Sequence, residues 1–300
     1  VEFSYQGNDS KPITMSSRPL AFWQAVDQVL DQAELDVNFY AGETGELALE
    51  PRREGRPSRA DSAAYCGVYR LEPTAVTARR NLTQPELSAV NISMELAWEP
   101  RLTPIGVTLP ITQLTAVLDD GQKLLPQQTA ETIDIATSSD IAFSEFFLPM
   151  QSPEGRPTKI ETLSGVIRAL LPGKTQAFEV KLDQPGGRQT IDDMTVTVEQ
   201  IRPNGPLHEI RVAVSLQDAA DSLESHRQWI FENEVHVKRA DGTRAEHLGY
   251  SVYRQSDDGV GIAYMFELGG AMATSALVYR SPTAVVETTE TFVIKDVSLP

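Results

Sequence analysis

Carboxylates are the chemistry this chain holds in quantity, since 42 of its 300 residues are Asp or Glu. They occur as adjacent pairs at Asp119-Asp120, Asp192-Asp193 and Asp257-Asp258. Such groups can hold calcium through several oxygens or, brought together from distant positions, act as the acid and nucleophile of a polysaccharide hydrolase. Asp120 and Asp258, however, each stand directly before a glycine. Asp-Gly at a hairpin tip is explained by Asx hydrogen bonding and positive φ, with no ligand needed. No pair continues into the alternating oxygen spacing of an EF-hand loop. The pairs read as turn formers.

The other reactive side chains are few and scattered. His208 falls in phase with Ile210 and Val212, on the buried face of a strand, whereas His236 is out of phase with Val235 and Val237 and is expected to face water. His226 and His247 fall in loop or strand-end positions. Nucleophilic catalysis needs a base held against its nucleophile, and no such pair is visible; nor is a Gly-rich phosphate loop, HExxH, GxSxG or CxxC. The single Cys66 excludes an intrachain disulfide and a thiolate metal cluster, and its neighbours Tyr65 and Tyr69 suggest a small buried side chain. Trp23 and Trp98 lie in phase with apolar sets and read as core, leaving Trp229 as the one candidate ligand contact. No catalytic, cofactor-binding or metal-ligating residue is assigned.

Charge narrows the partners. With 26 Lys and Arg the formal net charge is −16, which repels phosphodiester backbones. The closest candidates for a basic patch, Arg52-Arg53 and Arg79-Arg80, are isolated pairs, so no nucleic-acid partner is expected. No apolar run approaches the roughly 20 residues of a membrane-spanning helix. The expected partner is a protein or a cell-envelope polymer. The chain opens on Val1, which suggests a processed product and an export signal already removed.

The elements that must position these residues begin with one amphipathic helix. Leu20, Phe22, Trp23, Val26, Val29, Leu30 and Ala33 form its apolar face, while Gln24, Asp27, Gln28, Asp31 and Gln32 face water. Ser16 or Ser17 is its expected N-cap. Phe3 and Tyr5, then Ile13 and Met15, alternate before it as short strands would; Val37-Phe39 and Leu47-Leu49 come after it. Pro51 to Ser62, rich in Arg, Gly, Pro and Ser, reads as an exposed loop. Beyond about residue 88 the apolar period becomes two, as in Ile92, Met94, Leu96 and Trp98 or Ile210, Val212, Val214 and Leu216. Ile160 to Leu171 reads as strand from its β-branched residues, and Asp218 to Ser225 as a short helix or loop.

The run from Ile13 to Phe39, centred on Leu20-Ala-Phe-Trp-Gln-Ala-Val-Asp-Gln-Val-Leu, resembles the short N-terminal modules of secretins and TonB-dependent receptors over residues 11–50. The chain as a whole, with Trp98-Glu-Pro-Arg-Leu-Thr-Pro and the closing Lys295-Asp-Val-Ser-Leu-Pro, is similar to uncharacterised exported proteins of planctomycete-type bacteria. The resemblance implies a place outside the cytoplasm, periplasmic or in the cell envelope, and transfers no site residue.

The expected fold is therefore mainly β with a small α+β module: an N-terminal β-α-β-β unit over residues 1–80, then two immunoglobulin-like β-sandwich domains over 81–186 and 187–300. Gln184-Pro185-Gly186-Gly187 marks the boundary between the latter two. The expected function is non-enzymatic binding or assembly through β-surfaces. The alternatives are a polysaccharide-acting hydrolase built on carboxylates or a calcium-dependent adhesion module.

Overall fold

The computed structural model describes residues 1–5, 12–15, 17–41, 45–127, 130–138, 140–216, 228–256, 259–269 and 272–300. The chain is mainly β and divides into two compact units, Val1–Ala169 with Glu287–Pro300, and Leu170–Val286. Among the described residues no helix is long and apolar enough to cross a membrane.

The first unit opens with β1 (Glu2–Ser4), α1 (Phe22–Ala33), β2 (Leu35–Val37) and β3 (Glu46–Pro51). These strands form a sheet of order β1-β3-β2, with β1 parallel and β2 antiparallel to β3. Trp23, Val26 and Leu30 of α1 are buried with Val37 and Leu47 of the sheet. The helix begins after Ala21, which makes no side-chain cap, so Ser17 is not its N-cap; Ser16 lies outside the described residues. It ends at Glu34 in the left-handed region, whose N–H returns to the Leu30 carbonyl. The strand expected at Ile13 and Met15 is irregular backbone. There the Gln32 side chain accepts from the Thr14 N–H and donates to its carbonyl, both at 2.9 Å, in place of a ladder.

The chain continues through α2 (Arg59–Ser62), β4 (Ala64–Cys66), β5 (Tyr69–Arg79), β6 (Ala89–Trp98), β7 (Gly106–Pro110), β8 (Thr115–Leu118), β9 (Lys123–Leu124), β10 (Thr132–Ile135), β11 (Phe143–Gln151) and β12 (Lys159–Pro172). One sheet has the order β11-β6-β5-β4, and a second runs β10-β7-β12-β8-β9. Apolar residues of both, from Leu71, Ile92 and Leu148 on one to Val107, Leu118 and Ile167 on the other, share a single core. The expected end of a first module at residue 80 is corrected by this pairing: β4 and β5 are hydrogen-bonded into the sheet of β6, so residues 64–79 belong with β6 and β11 rather than with α1. Pro51 to Ser62 is likewise more than an exposed loop, because it contains α2 and the buried Arg59.

The second unit holds β13 (Thr175–Lys181), β14 (Arg188–Ile191), β15 (Met194–Asn204), β16 (Leu207–Leu216), α3 (Gln228–Phe231), β17 (Val235–Lys238), β18 (Arg244–Ser256), β19 (Gly259–Phe266) and β20 (Ala276–Pro282); β21 (Val285–Ser298) then carries the chain back into the first unit, where it pairs with β12. Its strands form one sheet of order β13-β20-β17-β18-β19-β16-β15-β14. The sheet nearly closes on itself, the Glu179 N–H of β13 donating to the Gln189 side chain of β14 at 2.6 Å. Here β18 is the corner: Arg244–Glu246 pair with β17 and His247–Ser256 with β19, the latter ladder bulging between His247 and Tyr250 and again between Val252 and Arg254. The break expected at residue 186 joins β13 to β14, two strands of this one sheet, and the division between units instead falls within β12 and β21.

Gly165 of β12 shows why that strand carries a glycine. A Cβ there would stand 2.8 Å from the Phe292 ring of the paired β21.

Candidate functional site

The first unit builds two features around α1. Arg70 of β5 is wholly buried; its Nη1 donates to Asp27 Oδ1 at 3.1 Å and its Nη2 to Glu95 Oε1 at 2.6 Å. Its guanidinium lies 4.6 Å from the Trp23 ring centroid, a cation–π contact. The Tyr65 hydroxyl donates to the other Asp27 oxygen at 2.8 Å. Beside this, Arg59 reaches Glu72 at 3.3 Å and Asp36 at 3.4 Å, and Arg56 bridges the same two carboxylates. Asp31 accepts from the Ser58 hydroxyl and from the Arg59 and Ala60 N–H groups at the start of α2, and pairs with Arg52.

Burial raises the Asp27 carboxyl above its ordinary value, against the opposing pull of Arg70 and the Tyr65 hydrogen bond. Asp31 is held below its ordinary value: burial works against this, but the hydrogen bonds from Ser58, Ala60 and Arg52 outweigh it. A buried carboxyl with a raised pKa can be a general acid, yet Asp27 has no exposed surface with which to meet a substrate. The network ties α1 to β5, β6 and α2. Its two helix carboxylates correct the expectation that Asp27 and Asp31 face water.

The second feature is an apolar groove of about 360 Å³, lined by Phe3, Met15, Phe22, Val29, Leu30 and Leu49 among others. Phe3 is 49% and Met15 44% exposed. The groove adjoins β1, which among the described residues has a strand partner on one side only. An unpaired strand edge beside an apolar trough can add a strand from another chain and take up its alternate side chains.

Among the described residues, those singled out from sequence do not converge. Among the described residues no group of three or more His, Cys, Asp and Glu is placed to hold a metal ion. Asp119 accepts from the N–H and hydroxyl of Thr158, Asp120 from the Gln122 N–H, and Asp192, at φ 50°, from the Thr283 hydroxyl. Asp257 and Asp258 lie outside the described residues, as do His226 and Asp218 to Ser225. His208 and His247 are half-buried, the latter edge-on to Tyr264 at 5.2 Å. His236 is buried rather than solvated: β17 runs between β20 and β18, its outward side chain stands between Val278 and Glu246, and its Nδ1 meets the Glu234 carboxylate at 3.3 Å.

Glu179 and Glu267 are exposed, whereas Glu95 is taken up by Arg70. Glu199 accepts from the Tyr253 hydroxyl at 2.6 Å. Cys66 is buried, and burial with the nearby Glu290 carboxylate pushes its thiol up to about 12. Trp23 and Trp98 are core residues. Trp229 of α3 is half-buried against the core of the second unit.

Comparison with protein-family models, with curated proteins and with solved structures returned no match. The class defined by fold and site is thus a mainly β chain with an apolar helix–sheet groove. Sequence reading missed the groove because it assigned the whole apolar face of α1 to one core. The available signal was its breadth: Phe22, Val26 and Val29 together with Trp23, Leu30 and Ala33 span more than a single contact stripe.

Proposed function

We propose that the chain is an exported, non-enzymatic binding or assembly protein that receives an extended, apolar and basic segment of another protein along β1 and the α1 groove. The carrying observation is the groove itself, an apolar trough partly open to water next to a strand that, among the described residues, is paired on one side only. Contiguous exposed apolar surface of this kind marks interaction sites. The net charge of −16 favours a cationic partner and repels a second copy of the same chain. The likeness of residues 11–50 to the N-terminal modules of secretins and TonB-dependent receptors supports a periplasmic or envelope setting. On the same reading the two sheets of residues 64–169 form an immunoglobulin-like sandwich that carries the module.

Titration with a short peptide of alternating valine and lysine tests this, read by backbone amide NMR. The expected shifts fall on residues 2–4, 22–30 and 47–49. Saturable shifts elsewhere, or none, refute the assignment.

A further inference from the structure

Residues 12–15 are irregular backbone that belongs to no strand, yet Met15 is one of the side chains that wall the α1 groove. The other walls, Phe3, Phe22, Val29 and Leu49, are rooted in β1, α1 and β3. Met15 has no such element behind it.

The Gln32 amide ties this stretch to α1. Its oxygen accepts from the Thr14 N–H and its nitrogen donates to the Thr14 carbonyl, both at 2.9 Å. The same nitrogen also donates to the Gln28 carbonyl at 2.9 Å, one turn back on the helix. An amide nitrogen has two hydrogens, so one anchors the group to its own helix and leaves the other, with the oxygen, facing Thr14. A donor and an acceptor side by side are what the backbone of a neighbouring strand presents. Gln32 thus stands in for a strand partner at a single residue.

Met15 follows Thr14 directly, so the clamp sets the backbone from which its side chain enters the groove wall. That side chain is 44% exposed. Methionine is unbranched and adapts its shape to a neighbouring apolar surface, but only if its backbone is held within reach of that surface. A wall held in place before a ligand arrives spares the ligand the cost of ordering it.

We propose that Gln32 is a positioning residue of the groove, which acts through Met15 by holding the irregular wall against the incoming segment. This rests on the docking role of the groove, and the test separates the two.

The dissociation constant of the alternating valine–lysine peptide is measured for the intact chain, Gln32→Ala, Met15→Ala and the double variant, with Val29→Glu as the comparison. Gln32→Ala should weaken binding about fivefold, the loss expected from two exposed amide hydrogen bonds, with the melting temperature little changed. The Thr14 amide proton should exchange faster in that variant. In the double variant the loss should equal that of Met15→Ala alone, because the clamp reaches the peptide only through Met15. Equal affinity in Gln32→Ala while Val29→Glu still weakens binding, or losses that add in the double variant, overturns the role of Gln32 and leaves the docking role standing. No saturable binding to the unsubstituted chain overturns both.

Discussion

Arg70 and Asp27, 43 positions apart in the chain, meet at 3.1 Å with neither side chain exposed to water. Removing one member of such a pair strands the other charge in a medium that cannot solvate it. Arg70→Ala, which strands both Asp27 and Glu95, should lower stability by about 3–5 kcal/mol in urea denaturation. Arg70→Lys should fall between, because an ammonium lacks the planar fork that reaches both carboxylates. A loss below about 1 kcal/mol for Arg70→Ala would mean that the pair is solvated.

The two helix carboxylates should respond to pH with opposite sign. Asp31 is held below its ordinary value of 3.8, so its contribution is present above that pH and is lost as pH falls through the depressed value. Asp27 is raised above 3.8, so its contribution is present below that pH and is lost as pH rises through the raised value. Stability measured against pH for Asp31→Asn should therefore lose part of the acid-side decline, and Asp27→Asn should lose a slope of the opposite direction. Parallel curves for the two variants would contradict the assigned environments.

Cys66 should be inert while the chain is folded. Its thiol is buried and pushed up to about 12, so the thiolate needed for alkylation is scarce near pH 8. Iodoacetamide at about pH 8 should modify it only after urea is added. Rapid modification of the folded chain would show that β4 opens without global unfolding.

The local elements were legible because their signals are local. Alternation in Ile92 to Trp98 and Ile210 to Leu216 marks β6 and β16, Asp120-Gly121 marks the turn between β8 and β9, and the β-branched residues of Ile160 to Leu171 mark β12. Periodicity names only one buried face of a helix. Asp27 and Asp31 looked solvated because the groups that cover them, Arg70, Tyr65 and Ser58, come from elements far along the chain. His236 misled in the same way, since alternation within β17 does not reveal that its side chain is buried and meets the Glu234 carboxylate. The Gly186-Gly187 break is a real turn, but whether a turn separates domains or joins two strands of one sheet depends on β13 pairing with β20, which lies about a hundred residues away. The groove is likewise assembled from separate segments and carries no sequence motif.

The docking role of the α1 groove is tested most directly by the dissociation constant of the alternating valine–lysine peptide for the intact chain and for Val29→Glu. Val29 lines the groove and is half-buried, so a carboxylate there places charge in the trough and leaves the buried Trp23, Val26 and Leu30 in place. The predicted result is saturable binding weakened about tenfold or more by the substitution, the cost of desolvating a charge against apolar side chains, with the melting temperature little changed. Equal affinity in the two proteins, or no saturable binding to the unsubstituted chain, would contradict it.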